Sequence, residues 1–249
     1  MTIDTTQGEE TTIRDYIALL KPRVMSLVVF TGLCTLFIVP ATPHPFLAAI
    51  QILALAFGAG AAGAFNMWYD RDIDRVMTRT ANRPVAAGRI PHAEALAFAI
   101  VFSLFSVMMM GLASNWVAAF WLAFANIFYS VVYTIFLKRF TAQNIVIGGA
   151  AGAFPPVIIW AAATGGTPIE AWALFAIIFF WTPPHFWALA LYASEDYKKA
   201  SVPMMPLTHG AKHTKIQMLV YTLILLPITL APGFIGMTSH IYTLIAALA

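Results

Sequence analysis

Charge is what this sequence has least of: 14 lysines and arginines and 11 aspartates and glutamates make up 10% of 249 residues, against 60% apolar ones. A soluble domain needs more charge than that on its surface, so a water-soluble globular fold is excluded. The mean hydropathy of +0.79 points instead to a polytopic membrane protein. There is one cysteine, Cys34, inside an apolar run. That rules out a disulfide framework and a thiolate metal centre, and leaves Cys34 as a small packing residue. The first 20 residues contain Asp4, Glu9, Glu10 and Asp15 and no apolar core, so they lack the marks of a cleavable signal and of an arginine-rich transit peptide. A bacterial plasma (inner) membrane is the address this leaves. No recognition motif for DNA or RNA is present, so the pI of 9.1 reflects topology and an anionic ligand, with no nucleic acid as partner.

What is abundant is apolar length. Crossing roughly 30 Å of hydrocarbon takes about 20 apolar residues, and seven windows qualify: about 24 to 41, 46 to 66, 93 to 113, 116 to 137, 145 to 163, 169 to 192 and 216 to 236. An eighth begins near His240, with nine residues before Ala249, too few to span. The chain therefore reads as cut short at this end, or as ending at the interface. The expected fold is an all-α membrane bundle, with residues 1–20 a cytoplasmic tail and 21–249 a transmembrane domain. Every lysine and arginine falls in the tail (Arg14, Lys21, Arg23) or in the connections near 71–89, 138–139 and 198–215. By the positive-inside rule these face the cytoplasm, as does the N-terminus. Small residues gather in Gly58-Ala-Gly60-Ala-Ala-Gly63 and Gly148-Gly149-Ala-Ala-Gly152, which permit close helix approach or a narrow wall beside a bulky ligand.

The charge that does exist is concentrated. Between Asn66 and Arg89 lie three aspartates and five arginines. Asn66, Asp70 and Asp74 are four residues apart, so each step turns about 40° and their oxygens form one helical stripe. Such a stripe suits a divalent cation, because Mg²⁺ typically takes one or two carboxylates plus phosphate oxygens. Asp72 lies about 200° from Asp70 around the helix, so it is expected to pair with Arg71, Arg75 or Arg79. Arg79, Arg83 and Arg89 exceed what the aspartates need, and guanidinium groups bind phosphate oxygens bidentately. A metal with an arginine clamp fits ionisation of an allylic diphosphate; a self-compensating solvated loop is the plainer alternative.

Three further groups stand out. Tyr192-Ala-Ser-Glu195-Asp196-Tyr197-Lys198-Lys199 forms a second polar cluster on the same side, with Glu195 and Lys199 spaced as i, i+4 partners. In Trp181-Thr-Pro-Pro-His185-Phe-Trp187 two prolines are expected to break the sixth span and set an imidazole among aromatics. His185 there serves either to ligate or polarise a substrate or as a hydrogen-bonded structural residue. Tyr129 and Tyr133, one turn apart with Asn126 nearby, are placed to wall a carbocation or a flat ring, or simply to pack. His44, His92, His209, His213 and His240 show no metal-ligand spacing.

From Lys21-Pro22-Arg23 to about Leu207 the chain resembles the UbiA intramembrane prenyltransferases, and within them the haem-farnesylating branch. The resemblance rests on Asn66-Met-Trp-Tyr-Asp70-Arg-Asp-Ile-Asp74 with Arg79-Thr-Ala-Asn-Arg83-Pro84, on Gly148-Gly-Ala-Ala-Gly-Ala-Phe-Pro155-Pro156, and on Pro184-His185-Phe-Trp187-Ala-Leu-Ala-Leu-Tyr192 leading into Glu195-Asp196-Tyr197. It implies a UbiA-type bundle of nine transmembrane helices, of which seven complete spans and a partial eighth are present here, around a cavity open laterally to membrane lipid. It implies a first Mg²⁺ and diphosphate motif at Asn66, Asp70 and Asp74, with Arg79 and Arg83 beside it; Arg79, Arg83 and Lys199 are expected to hold the diphosphate. The family's second Asp-x-x-x-Asp motif aligns with Ala193 and Tyr197, leaving Glu195 and Asp196 as the acids for a second metal. The implied reaction transfers farnesyl from farnesyl diphosphate to the 2-vinyl group of haem b, with water added, giving haem O; for it, His185, Trp187, Tyr129 and Tyr133 are expected to contact the haem, the aromatics as a flat apolar wall. A haem O oxygenase or terminal oxidase assembly would be the partner. A UbiA enzyme acting on a small aromatic acceptor such as 4-hydroxybenzoate is the nearest alternative, and a cation transporter a remote one.

Overall fold

Residues 11–248 of the computed structural model are described, and their secondary structure is helical throughout. A short α1 (Ile13–Leu19) leads through Leu20 and Lys21 into α2 (Pro22–Ile38), whose axis turns by 55°. Part of the expected 1–20 tail is therefore helix, and its first ten residues lie outside the described ones. Then follow α3 (Pro45–Tyr69), α4 (Arg71–Val76), α5 (His92–Ala113) and α6 (Trp116–Ile127), which widens into a π-helix over Phe128–Leu137. α7 (Asn144–Ala153) and α8 (Pro155–Thr164) share the fifth span, and α9 (Ile169–Tyr192) is the sixth. α10 (Ser194–Lys199), α11 (Met205–Phe234) and α12 (His240–Leu248) complete the chain. Among the described residues six helices are long and apolar enough to cross a membrane, or seven spans with the bent α1–α2 pair taken as one.

Two departures from expectation have local causes. The sixth span is unbroken: α9 runs straight through Pro183 and Pro184. Adjacent prolines delete two neighbouring donors from the ladder, while the Thr182 hydroxyl donates to the Ile178 carbonyl at 2.7 Å in the same turn. The seventh span starts well before residue 216, at Met205, because the helix includes a polar stretch that hydropathy passes over. It is interrupted at Gly210, whose φ of 81° and ψ of 162° are open to glycine. The fifth span does break, where Pro155 opens α8 as an N-terminal proline.

The glycine runs do both things their composition allows. A Cβ at Gly60 would lie 2.6 Å from Leu20 Cδ2 and one at Gly58 2.8 Å from Leu122 Cδ1, so the first run is where α3 meets its neighbours. In the second run Gly148 and Gly149 pack on Tyr133 and Thr182, while Gly152 meets nothing and borders open space. The fifth span, α7 with α8, is the most enclosed, and α3 comes next, packed along α5 and α2. Leu55, Leu122, Val157, Ile158 and Trp160 form the apolar core between α3, α6 and α8. A second cluster joins Ile73, Met77, Trp187, Met204 and Met205, and a third joins Leu19, Met67, Val85 and Ile90. Phe37, Leu112 and Phe234 point outward, as suits helices solvated by lipid chains. α12 folds back on α11, with Tyr242 Oη donating to the Thr229 carbonyl at 2.9 Å.

Candidate active site

The end of α3 is where buried charge begins. α3 terminates at Tyr69, yet the Asp70 N–H donates to the Asn66 carbonyl (2.9 Å) and the Asp74 N–H to the Asp70 carbonyl (2.8 Å). Helical register thus passes across the junction into α4, and Asn66, Asp70 and Asp74 stay on one stripe. All three are buried, at 3%, 0% and 1% exposure. Buried carboxylates are tolerable only when paired, and these are.

Lys138 Nζ forms an ion pair with Asp70 Oδ2, and Arg139 Nη2 approaches Asp70 Oδ1 at 3.4 Å. Asn66 Nδ2 donates to Asp70 Oδ2 at 2.6 Å and to Thr134 Oγ1 at 3.2 Å, while its Oδ1 accepts from Lys21 Nζ at 2.6 Å. One Nη of Arg83 donates to both Asp74 oxygens, at 2.9 and 2.8 Å. Thr80 Oγ1 donates to the Asp74 carbonyl (3.1 Å) and Arg75 Nε to the Ala86 carbonyl (3.0 Å), which folds the loop after α4 back over the acids.

Several pairings differ from those the local sequence suggests. Asp72 pairs with Arg139 (2.7 and 2.8 Å), not with Arg71, Arg75 or Arg79. Arg139 comes from the end of the π-helix and lies 4.7 Å over the Tyr69 ring, and its hydrogen bonds hold the Asp72 carboxyl below its usual value. Arg89 is no part of a clamp on this site, because its guanidinium is taken by Asp15 (2.7 Å) and the Asn82 carbonyl (2.9 Å). Lys21 and Lys138 were missed as site residues; the one signal was that 138–139 holds the only charges in its loop.

The second polar cluster behaves otherwise. Glu195 is exposed and Lys199 faces outward from α10, paired with Asp196 at 4.0 Å and not with Glu195. Asp196 turns toward the Asp70 loop, accepting from the Arg79 N–H at 3.4 Å. Burial pushes its carboxyl up, but hydrogen bonds from Thr78 and Arg79 outweigh that and hold it below the ordinary value.

A cavity of about 520 Å³ opens at this corner. Lys21, Asn66, Asp74, Arg79, Arg83 and Lys138 make its polar end, with Asp70 sealed just behind. Tyr129 and Tyr133, ring centroids 5.2 Å apart, form an apolar wall with Gly148, Gly152 and Trp181. Leu27 and Phe30 of α2 face Trp181 and Phe186 of α9 across an opening; Phe30, Trp181 and Phe186 are exposed, so the cavity reaches the lipid side. A narrower apolar slot of about 120 Å³ shares Lys21, Tyr129 and Gly152 and runs along α3 to Leu55, Leu122 and Ile158.

Glu195, Asp196 and Lys199 lie outside the cavity lining. His185 is exposed on its lip, stacked on Trp181 at 4.4 Å and 17°. Trp187 does not line the cavity: it is fully buried against Ile73, Met77 and Met204, with Tyr221 edge-on at 5.5 Å. Successive residues on a helix point about 100° apart, so a motif read as one aromatic group is split between lip and core.

Among the described residues no three His, Cys, Asp or Glu side chains converge as a metal cage. The donor set is two buried carboxylates and an amide oxygen, ringed by four cations. That suits a hard cation sharing its shell with phosphate oxygens, the ordinary habit of Mg²⁺.

Comparison with known proteins bears on the family and the fold. The family model of the UbiA prenyltransferase family matches residues 27–249. A protoheme IX farnesyltransferase of Hyphomonas neptunium is 57% identical over 99% of this chain and 79% of its own length. Enzymes of the same name from Caulobacter vibrioides and Paracoccus denitrificans are each 60% identical, over 94% and 92% of this chain and 71% and 75% of theirs. In fold, a UbiA homolog from Archaeoglobus fulgidus bound to DMAPP and Mg²⁺ superposes with a TM-score of 0.78 at 22% identity, covering 94% of this chain and 82% of that one. A digeranylgeranylglyceryl phosphate synthase follows at 0.75 and 15%, covering 95% and 86%. With its helical bundle, its buried acids and these relatives, the chain is a multi-pass membrane transferase that belongs to the UbiA prenyltransferase family.

Proposed function

We propose that this chain transfers a farnesyl group from farnesyl diphosphate to the 2-vinyl group of haem b, giving haem O. The observation that carries the reading is a cavity in which a rim of cations and buried acid meets an apolar, aromatic wall open to lipid. The name shared by relatives at 57 to 60% identity supports haem as the acceptor. Asp70 and Asp74, with Asn66, would hold Mg²⁺, which supplies positive charge against the departing diphosphate.

The chain's own residues then have separable tasks. Lys138 and Arg83, now held on Asp70 and Asp74, turn to diphosphate oxygens, joined by Arg79 and Lys21; preplaced cations stabilise the charge that builds on the leaving group. The C1–O bond of the farnesyl chain breaks, and its electron pair leaves with the diphosphate. The faces of Tyr129 and Tyr133 attract the allylic cation, and the apolar slot beside them takes the tail. The terminal vinyl carbon attacks C1; the cation left beside the porphyrin ring is captured by water, which then loses a proton. Trp181 and Phe186, with His185 on the lip, flank the opening through which a flat macrocycle enters from the membrane. The basic rim faces the cytoplasm of the inner membrane in this reading, and the product suits a membrane haem O oxygenase or oxidase assembly.

The test is chromatographic. Purified protein in lipid, given haem b, farnesyl diphosphate and Mg²⁺, is expected to yield a more hydrophobic haem with the mass of haem O, abolished by EDTA. Mg²⁺-dependent prenylation of 4-hydroxybenzoate, with haem left unchanged, would move the assignment to the aromatic-acceptor branch.

A further inference from the structure

Lys21 adopts a left-handed conformation, φ 51° and ψ 63°, that residues with a Cβ avoid. The conformation turns the chain between α1 and α2 and delivers the ammonium to Asn66 Oδ1. Something must hold it there, since strained backbone persists only where its surroundings over-determine it. Part of the answer is close packing on α3. Leu20 lies over Gly60 and the Lys21 stem over Gly63, where a Cβ would come within 3.2 Å of Lys21 Cδ.

The rest lies outside the cavity. Asp15, on α1 and 6% exposed, accepts from Arg89 Nε at 2.7 Å. Arg89 closes the loop that carries Arg83: its Nη2 donates to the Asn82 carbonyl at 2.9 Å and its N–H to the Pro84 carbonyl at 2.9 Å. Thr11 Oγ1 donates to the Arg89 carbonyl at 2.7 Å, and Leu19 packs with Val85 and Ile90. One arginine therefore ties α1, which leads through Leu20 to Lys21, to Asn82 and Pro84 on either side of Arg83.

We propose that the Asp15–Arg89 pair is a latch that sets Lys21 and Arg83 across the cavity mouth, making Asp15 and Arg89 positioning residues for the diphosphate. The proposal rests on the diphosphate reading of the site. Neither residue lines the cavity, so their removal deletes no group that touches substrate and frees only the mounting of Lys21 and Arg83.

The experiment uses the full chain in lipid, with calorimetric titration by inorganic pyrophosphate in the presence of Mg²⁺ beside steady-state kinetics. Asp15→Asn and Arg89→Gln are expected to weaken pyrophosphate binding and raise KM for farnesyl diphosphate about tenfold, the scale of one charged hydrogen bond. The haem KM and kcat should stay within about twofold, a split that a general loss of folding does not produce. The exchanged pair Asp15→Arg with Arg89→Asp should recover most of the affinity. Single variants that bind pyrophosphate as wild type does would overturn the latch and leave the site reading intact. A wild type that binds no pyrophosphate overturns both. Should the single variants fail to fold, the exchanged pair decides alone, recovered affinity supporting the latch and absent affinity overturning it.

Discussion

Two acidic segments, Asp70 to Asp74 and Glu195 to Asp196, sit at one end of the bundle and look comparable in sequence: short runs of acid beside Arg or Lys, just after a long apolar span. Their surroundings differ throughout. Asp70 and Asp74 are buried, and between them face Lys138, Arg139 and Arg83. Glu195 is exposed, and Asp196 is spent on a 3.4 Å contact to the Arg79 N–H and a distant lysine. A buried carboxylate keeps its charge because cations surround it, and those cations are what a polyanion can recruit. An exposed acid keeps its charge at no cost to the fold and holds nothing ready.

The comparison breaks most visibly at Asp70. Asp70→Asn or Asp74→Asn should lower prenyl transfer by about a thousandfold, the scale of losing a preorganised group at a developing charge, as read by haem product per unit enzyme. Glu195→Gln in parallel should leave the rate unchanged. Equal losses in the two segments would show that burial does not separate them.

Lys138 sharpens the point from the cation side. Lys138→Met removes the partner of a fully buried carboxylate and one of the groups assigned to the diphosphate. KM for farnesyl diphosphate should rise about 10- to 100-fold, the worth of a charge-assisted hydrogen bond. The apo protein should also melt earlier, because Asp70 then keeps only the 3.4 Å contact with Arg139 and the Asn66 amide. Added Mg²⁺ should restore part of that stability, since a ligand that binds the folded state stabilises it.

What could be read beforehand divides along physical lines. The spans were legible because hydropathy over 20 residues reports a bilayer whatever the packing. Asn66, Asp70 and Asp74 were legible because their spacing is a local property of a helix. Lys21 and Lys138 were not: they meet Asn66 and Asp70 from 45 and 68 residues away. The π-helix over Phe128–Leu137, which ends at the Lys138 N–H bonded to the Tyr133 carbonyl, shifts the register that would have aimed it. The burial of Trp187 is hidden from the sequence for the opposite reason. A contiguous aromatic motif suggests one surface, whereas α9 continues through both prolines and turns Trp187 inward toward Met204 and Tyr221. Local spacing was informative for the acids, and long-range pairing decided the rest.

The smallest expected effect concerns Asp196, which separates a metal ligand from a tether. In the structure its carboxylate joins α10 to the loop of Arg79 by accepting from the Thr78 side chain and the Arg79 N–H, and it lies outside the cavity lining. Asp196→Asn preserves an acceptor for the Arg79 N–H and removes the charge. If Asp196 tethers the loop, activity should fall by less than about threefold, in keeping with a partly exposed polar contact, and the Mg²⁺ concentration giving half-maximal rate should not move. If it binds a second metal, that concentration should rise about tenfold or more, as for other lost metal contacts, with kcat falling too. A titration of rate against Mg²⁺ at saturating farnesyl diphosphate distinguishes the two, because a tether acts on the loop and a ligand acts on the ion.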